Sequence, residues 1–217
     1  MQEFLSPSRF IDSDARDVVA FARSESGDAA SEMDRVLRLY RSVRDAVLYD
    51  PYVDLADPAN YRASGVLEAG RGFCIGKAAL LAACARAIGV PARVGYADVR
   101  NHLTSPRLYE RIKTDLFTWH SYAELHLEDR WVKATPAFNQ SLCERLELQP
   151  LEFDGRTDSL LHPFDRVGRR HMEYLNDHGS FDDVPFELIQ EDFRARYPAL
   201  MKSRGLVGDF QAEAVAE

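Results

Sequence analysis

The stretch Gly70-Arg71-Gly72-Phe73-Cys74, running into Ile75-Gly76-Lys77-Ala78-Ala79-Leu80-Leu81, constrains this chain more than any other. Two glycines bring the backbone to the start of an Ala- and Leu-rich helix, and a cysteine stands in the first turn. Free N–H groups and the positive end of the helix dipole gather there, and both favour a thiolate. The helical spacing runs from Phe73 to Ile88, with Gly89 as its stop and Pro91 just beyond. Further along comes a strand that carries histidine, Trp119-His120-Ser121-Tyr122-Ala123-Glu124-Leu125-His126-Leu127. A cysteine on a helix start and a histidine on a strand form an arrangement for nucleophilic acyl transfer.

The segments before Cys74 read as helical. Ser13 is a candidate cap for a helix from Asp14 to about Ser24, and Gly27-Asp28 breaks it. Ser31-Glu32-Met33-Asp34 opens a second helix, in which Val36, Leu37, Tyr40, Val43 and Val47 recur at helical spacing. Asp50-Pro51 ends it, and a polar loop is expected from Asp54 to Gly65. Beyond the cysteine helix, residues 92–97 alternate as a short strand and residues 98–115 read as a polar loop. Residues 117–127 and 131–135 form an expected antiparallel hairpin around Glu128-Asp129-Arg130. After Pro136 the pattern weakens to loops with short helices, and residues 205–217 read as a frayed tail. No repeat or linker divides residues 1–204, which are expected to form one α+β domain.

Strand alternation places His120, Tyr122, Glu124 and His126 on one face, with Ala123, Leu125 and Leu127 on the other. A two-residue turn at Glu128-Asp129 pairs Leu127 with Arg130 and, by the same count, Tyr122 with Thr135. Thr135 then lies one diagonal step from His120, where a third group that orients a catalytic imidazole belongs.

These strings resemble the transglutaminase-like superfamily, in its bacterial form. Gly72-Phe73-Cys74-Ile75-Gly76-Lys77-Ala78 with Ala85-Arg86-Ala87-Ile88-Gly89-Val90-Pro91-Ala92-Arg93 is similar to its nucleophile helix. His120-Ser121-Tyr122-Ala123-Glu124 with Arg130-Trp131-Val132 is similar to its histidine strand and partner, and the likeness spans about residues 35–137. The resemblance implies a papain-like core, in which a nucleophile helix packs on an antiparallel β-sheet, with residues 138–204 as a family-specific extension. It also implies hydrolysis or acyl transfer at an amide bond by Cys74 and His120. The family acid position holds Thr135 here, which can accept a hydrogen bond but carries no charge. Asn139 is the alternative third member, since Cys-His-Asn sets run the same chemistry, and an acid from elsewhere in the chain is a third option. The substitution at Thr135 also admits a second reading, an inactive relative that binds a peptide or protein in the same cleft.

Composition removes other classes. The formal net charge of −8 leaves no basic excess for phosphate backbones, so no nucleic-acid partner is expected. No apolar run is long enough to span a bilayer, and the amino terminus lacks a basic segment followed by an apolar one. Three cysteines without CxxC spacing fit reduced thiols in a cytoplasm. Cys84 and Cys143 read as packing residues. His102 is a rival base in a polar loop, while His162, His171 and His178 among Asp154, Asp158 and Asp165 match no ligand spacing. Asp50, Asp54 and Asp57 lack the spacing of a calcium loop. No metal or cofactor is expected, and the expected substrate is a peptide, a protein or a small amide.

Overall fold

The computed structural model describes residues 1–102, 106–162, 168, 171–202, 205 and 208–213. Its centre is the cysteine helix, α4 (Cys74–Ala87), following α1 (Arg16–Ser26), α2 (Glu32–Ala46) and α3 (Ala63–Ala69). Residues Ile75 to Arg86 of α4 are all buried, so the helix has no solvent stripe. A helix apolar all round must be enclosed on every side. Here α1, α2 and α3 pack on it from one side and a four-stranded sheet from the other.

That sheet has the order β5-β4-β3-β6 and is antiparallel throughout, from β3 (Ala92–Asn101), β4 (Leu116–Leu127), β5 (Arg130–Ala134) and β6 (Met172–Phe181). Leu127 pairs with Arg130 as the two-residue turn requires. Glu128 and Asp129 take φ of 47° and 61°, the left-handed pair of a type I′ turn whose twist matches the flanking strands. The β4–β5 ladder stops at Ala134, one position short of Thr135. Instead Thr135 N–H donates to the Ser159 carbonyl at 2.9 Å.

Three devices fix where α4 begins. A two-residue parallel ladder joins β1 (Leu48–Tyr49) to β2 (Arg71–Gly72) and delivers Phe73 to the N-cap of α4. A Cβ on Gly76 would lie 2.4 Å from the Asn60 carbonyl oxygen, so only glycine permits this close approach. Lys77 is fully buried, and its Nζ donates to the carbonyls of Arg44 (2.8 Å) and Val47 at the end of α2. Those are carbonyls that a helix end leaves without partners. Burial pulls the Lys77 pKa down to about 7.

Several expectations change. Ser31 caps α2 by accepting from Asp34 N–H at 3.0 Å, but Ala15, not Ser13, precedes α1. The expected loop from Asp54 to Gly65 holds a 3-10 turn (Pro58–Tyr61) and the start of α3. Within the expected polar loop at 98–115, β3 continues to Asn101 and α5 spans Pro106–Ile112; residues 103–105 lie outside the described residues. The carboxy-terminal third supplies β6, α6 (Gln140–Arg145), α7 (Phe186–Arg196) and α8 (Pro198–Lys202). The tail expected to fray forms α9 (Phe210–Glu213), where Phe210 packs edge-on against Tyr49 and Tyr52; residues 214–217 lie outside the described ones. Among the described residues no helix is long and apolar enough to cross a membrane.

Lys77 yields a test of this frame. Lys77→Met keeps the length of the side chain but strands two α2 carbonyls, and should cost roughly 1–3 kcal/mol. Since Lys77 loses its proton more readily folded than unfolded, wild-type stability should gain from this group as pH rises from about 7. Urea titrations from pH 7 to 10 check both: the gap between the two proteins should widen with pH.

Candidate active site

Cys74 is the first residue of α4 and is half-buried under β4. Backbone N–H groups of Ser121, Ile75 and Cys74 itself favour its thiolate, as a helix start should. Burial outweighs them and pushes the thiol up to about 11. The lowered thiol expected from the sequence is therefore reversed, because apolar walls remove more hydration than three peptide dipoles return.

His120 sits on β4 directly after an irregularity. Ala97 pairs with His120 and Val99 with Phe117, so Thr118 and Trp119 face the single residue Asp98. This is a β-bulge, and Trp119 occupies its left-handed position with φ of 59°. A bulky residue there costs of order 1–3 kcal/mol, and such strain concentrates at functional sites. The bulge abolishes strict alternation: Phe117, Thr118, Trp119 and His120, four successive residues, all line one cavity. Asp98 holds the bulge by accepting from Trp119 N–H at 3.3 Å. It also meets His178 Nε2 at 2.6 Å, and the His178 ring stacks on Trp119 at 4.3 Å. This Asp98–His178–Trp119 assembly has no signal in the linear sequence, because the bulge that creates it is a property of pairing.

The cavity has an accessible volume of about 110 Å³. Cys74 and His120 lie in its wall beside Tyr49, Phe73, Leu108, Phe193 and Phe210. Among its described lining residues none is charged. Burial, with a smaller contribution from nearby His162, pulls His120 down to about 4. Burial thus favours the uncharged form of each group.

The third member is placed as follows. Thr135 is buried, and among the described residues its Oγ1 has no hydrogen-bond partner, nor has Nε2 of His120. The two side chains line a small second cavity of about 10 Å³, together with His162, but make no hydrogen bond to each other. Asn139 is engaged elsewhere: its Oδ1 accepts from Tyr49 N–H at 2.9 Å, and its Nδ2 donates to Ser141 and to Gln211 in α9. It serves as the N-cap of α6. The carboxylate of the bulge, Asp98, is engaged by His178 and Trp119. His102 meets Glu173 at 3.2 Å in an exposed pair. The three carboxy-terminal histidines separate, His178 to Asp98, and His162 and His171 to the ring of Phe138. Asp50, Asp54 and Asp57 accept from backbone N–H groups two residues on. Cys84 and Cys143 are buried in the packing.

The fold has a counterpart among solved structures. A candidate cysteine protease from Cytophaga hutchinsonii superposes with a TM-score of 0.51 at 20% identity, over 83% of this chain and 46% of that one. The likeness is one of fold, and the chain spans less than half the length of that protein. A candidate protease from Parabacteroides distasonis gives 0.40 at 16% identity, over 54% of this chain and 22% of that one. A TGase gives 0.37 at 23% identity, over 57% and 31%. No curated protein matches the chain in sequence. The family model of the transglutaminase-like superfamily matches residues 19–136, from within α1 to the residue after Thr135. That span is more than half of the chain and takes in both Cys74 and His120: the chain belongs to the transglutaminase-like superfamily.

Proposed function

We propose that the chain is a thiol-dependent amide hydrolase or acyltransferase whose substrate presents an apolar acyl group. The observation that carries this reading is that Cys74 and His120 open into one cavity whose described lining is uncharged. A charged acyl group entering it would lose hydration without a counter-ion, whereas an aliphatic or aromatic one gains by burial. The acyl group can come from a peptide, a protein or a small amide.

The step begins from neutral partners. Sγ of Cys74 attacks the carbonyl carbon while His120 takes the thiol proton, and the Cys74 N–H faces the oxyanion. The C–N bond then breaks as His120 returns the proton to the departing amine, which leaves a thioester on Cys74. Water or a second amine resolves the thioester, with His120 again accepting the proton. The rival reading, an inactive relative that binds a peptide, draws on the raised thiol and the uncharged Thr135.

p-Nitrophenyl esters of two, four and eight carbons separate the two readings. Nitrophenol release should occur in a burst that quickens with chain length, and mass spectrometry should place the acyl mass on Cys74. Cys74→Ala should abolish the burst, and His120→Ala should slow it on the order of 10²–10⁴-fold. A wild type with no adduct from any ester would sink the enzymatic reading.

Alkylation tests the resting protonation state. With the thiol near 11, iodoacetamide labelling of ligand-free Cys74 should climb with pH through 9 and 10. A plateau already reached between pH 6 and 8 would show a preformed ion pair instead.

A further inference from the structure

The small cavity behind His120, about 10 Å³ and so with room for about one water, holds three buried polar atoms with no hydrogen-bond partner among the described residues: His120 Nε2, Thr135 Oγ1 and His162 Nε2. Their residues are 8%, 2% and 6% exposed. Apart from them the described lining is apolar, with Leu151, Leu160, Leu161 and Met172 among its walls. Three unmet polar atoms in an apolar shell would be costly, on the order of 1–3 kcal/mol each, unless they serve one another. None hydrogen-bonds to another, but one water placed among them gains three partners, the usual complement of a buried water.

His162 is held for this task. Its ring lies in hydrogen-bonding reach of the Gln149 carbonyl. Since Nε2 is unpartnered, that contact falls to Nδ1–H, which leaves Nε2 as an acceptor. The ring stacks on Phe138 at 5.6 Å between centroids, and Phe138 also lines the substrate cavity. We infer that His162 is the positioning residue for His120, taking over through a shared water the part that a carboxylate plays from the position of Thr135.

When His120 accepts the Cys74 proton, both its ring nitrogens carry hydrogen. The Nε2–H then donates to the water, the water donates to His162 Nε2, and the positive charge stays on His120. A neutral acceptor fixes the tautomer and ring angle but supplies no counter-charge.

This inference rests on the Cys74–His120 reading, and the test keeps the two apart. The burst with the eight-carbon ester is measured from pH 5 to 9 in wild type, His162→Gln, Thr135→Asp and the double variant. His162→Gln should slow acylation on the order of 10–100-fold in the wild-type background. With Asp at 135 a direct carboxylate orients His120, so His162→Gln should then cost less than about threefold, and the acid limb of the profile should move to higher pH. An equal loss in both backgrounds would mean that His162 only supports packing and would overturn the inference, as would a His162→Gln enzyme with wild-type rate. A wild type without any burst would remove the Cys74–His120 reading and this inference with it.

Discussion

Complete enclosure of α4 is the constraint from which the rest of the molecule follows. A helix whose every face from Ile75 to Arg86 is buried needs neighbours all round, and so three helices and a sheet converge on it. The same enclosure determines the chemistry at its end. Cys74 is held against β4 with the Ser121 N–H beside it, which fixes the sulfur in place. Removal of water from that position also raises the thiol above its ordinary range. Positional order and a ready-made thiolate are thus opposed here, and burial decides the contest for order. Lys77 shows the same preference one turn on, where a cation is drawn into the core to close the end of α2.

The second determinant is the bulge at Trp119. A regular strand would alternate its side chains and could present only every second residue to the substrate cavity. The extra residue opposite Asp98 breaks the alternation, so that four successive residues border the cavity, His120 the last of them. The left-handed backbone that this demands is strained for a tryptophan. Asp98 and the stacked His178 ring hold it from two directions. The arrangement therefore depends on β6, the strand that brings His178 alongside β3, and so the region after residue 140 belongs to the site as well as to the fold.

What was legible in the sequence divides along physical lines. The cysteine helix and the β4–β5 hairpin are local: helix propensity, a glycine stop and a two-residue turn are short-range signals, and the Leu127–Arg130 register followed from them. The strand Met172–Phe181 was not legible. It lies at the sheet edge, carries Asn176, Asp177 and Gly179, and its ladder to β3 breaks register twice, so no period-two pattern survives. Packing of Phe210 on Tyr49 and Tyr52 joins residues some 160 positions apart, and no local rule finds it. Counting along the hairpin puts Thr135 one diagonal step from His120, and the two residues line the small second cavity. What the count could not supply was the end of the ladder at Ala134, which leaves Thr135 facing His120 across a cavity.

On the proposed reading a raised thiol and a lowered imidazole line one cavity, and the cost of charging both can be set against a catalytic barrier. Moving a proton between groups about seven pH units apart costs roughly 9–10 kcal/mol when each is taken alone. The thiolate and imidazolium so formed attract one another, by roughly 4 kcal/mol for unit charges about 4 Å apart at an effective dielectric near 20. A net cost of about 5–6 kcal/mol remains, against a total barrier of roughly 16 kcal/mol for a turnover of about ten per second. Room is left for bond formation to carbon. The proton need not move before the substrate arrives, since attack and transfer can share one transition state, in which each group is only partly charged. A carboxylate at position 135 would lower that cost further, but it would itself be a buried charge in a cavity whose described walls are uncharged. A neutral acceptor avoids this penalty and gives up rate in exchange. On this balance an apolar second cavity and an uncharged residue at 135 go together: walls that hold no counter-ion favour a neutral partner for His120, reached through a single water, over an ionised one.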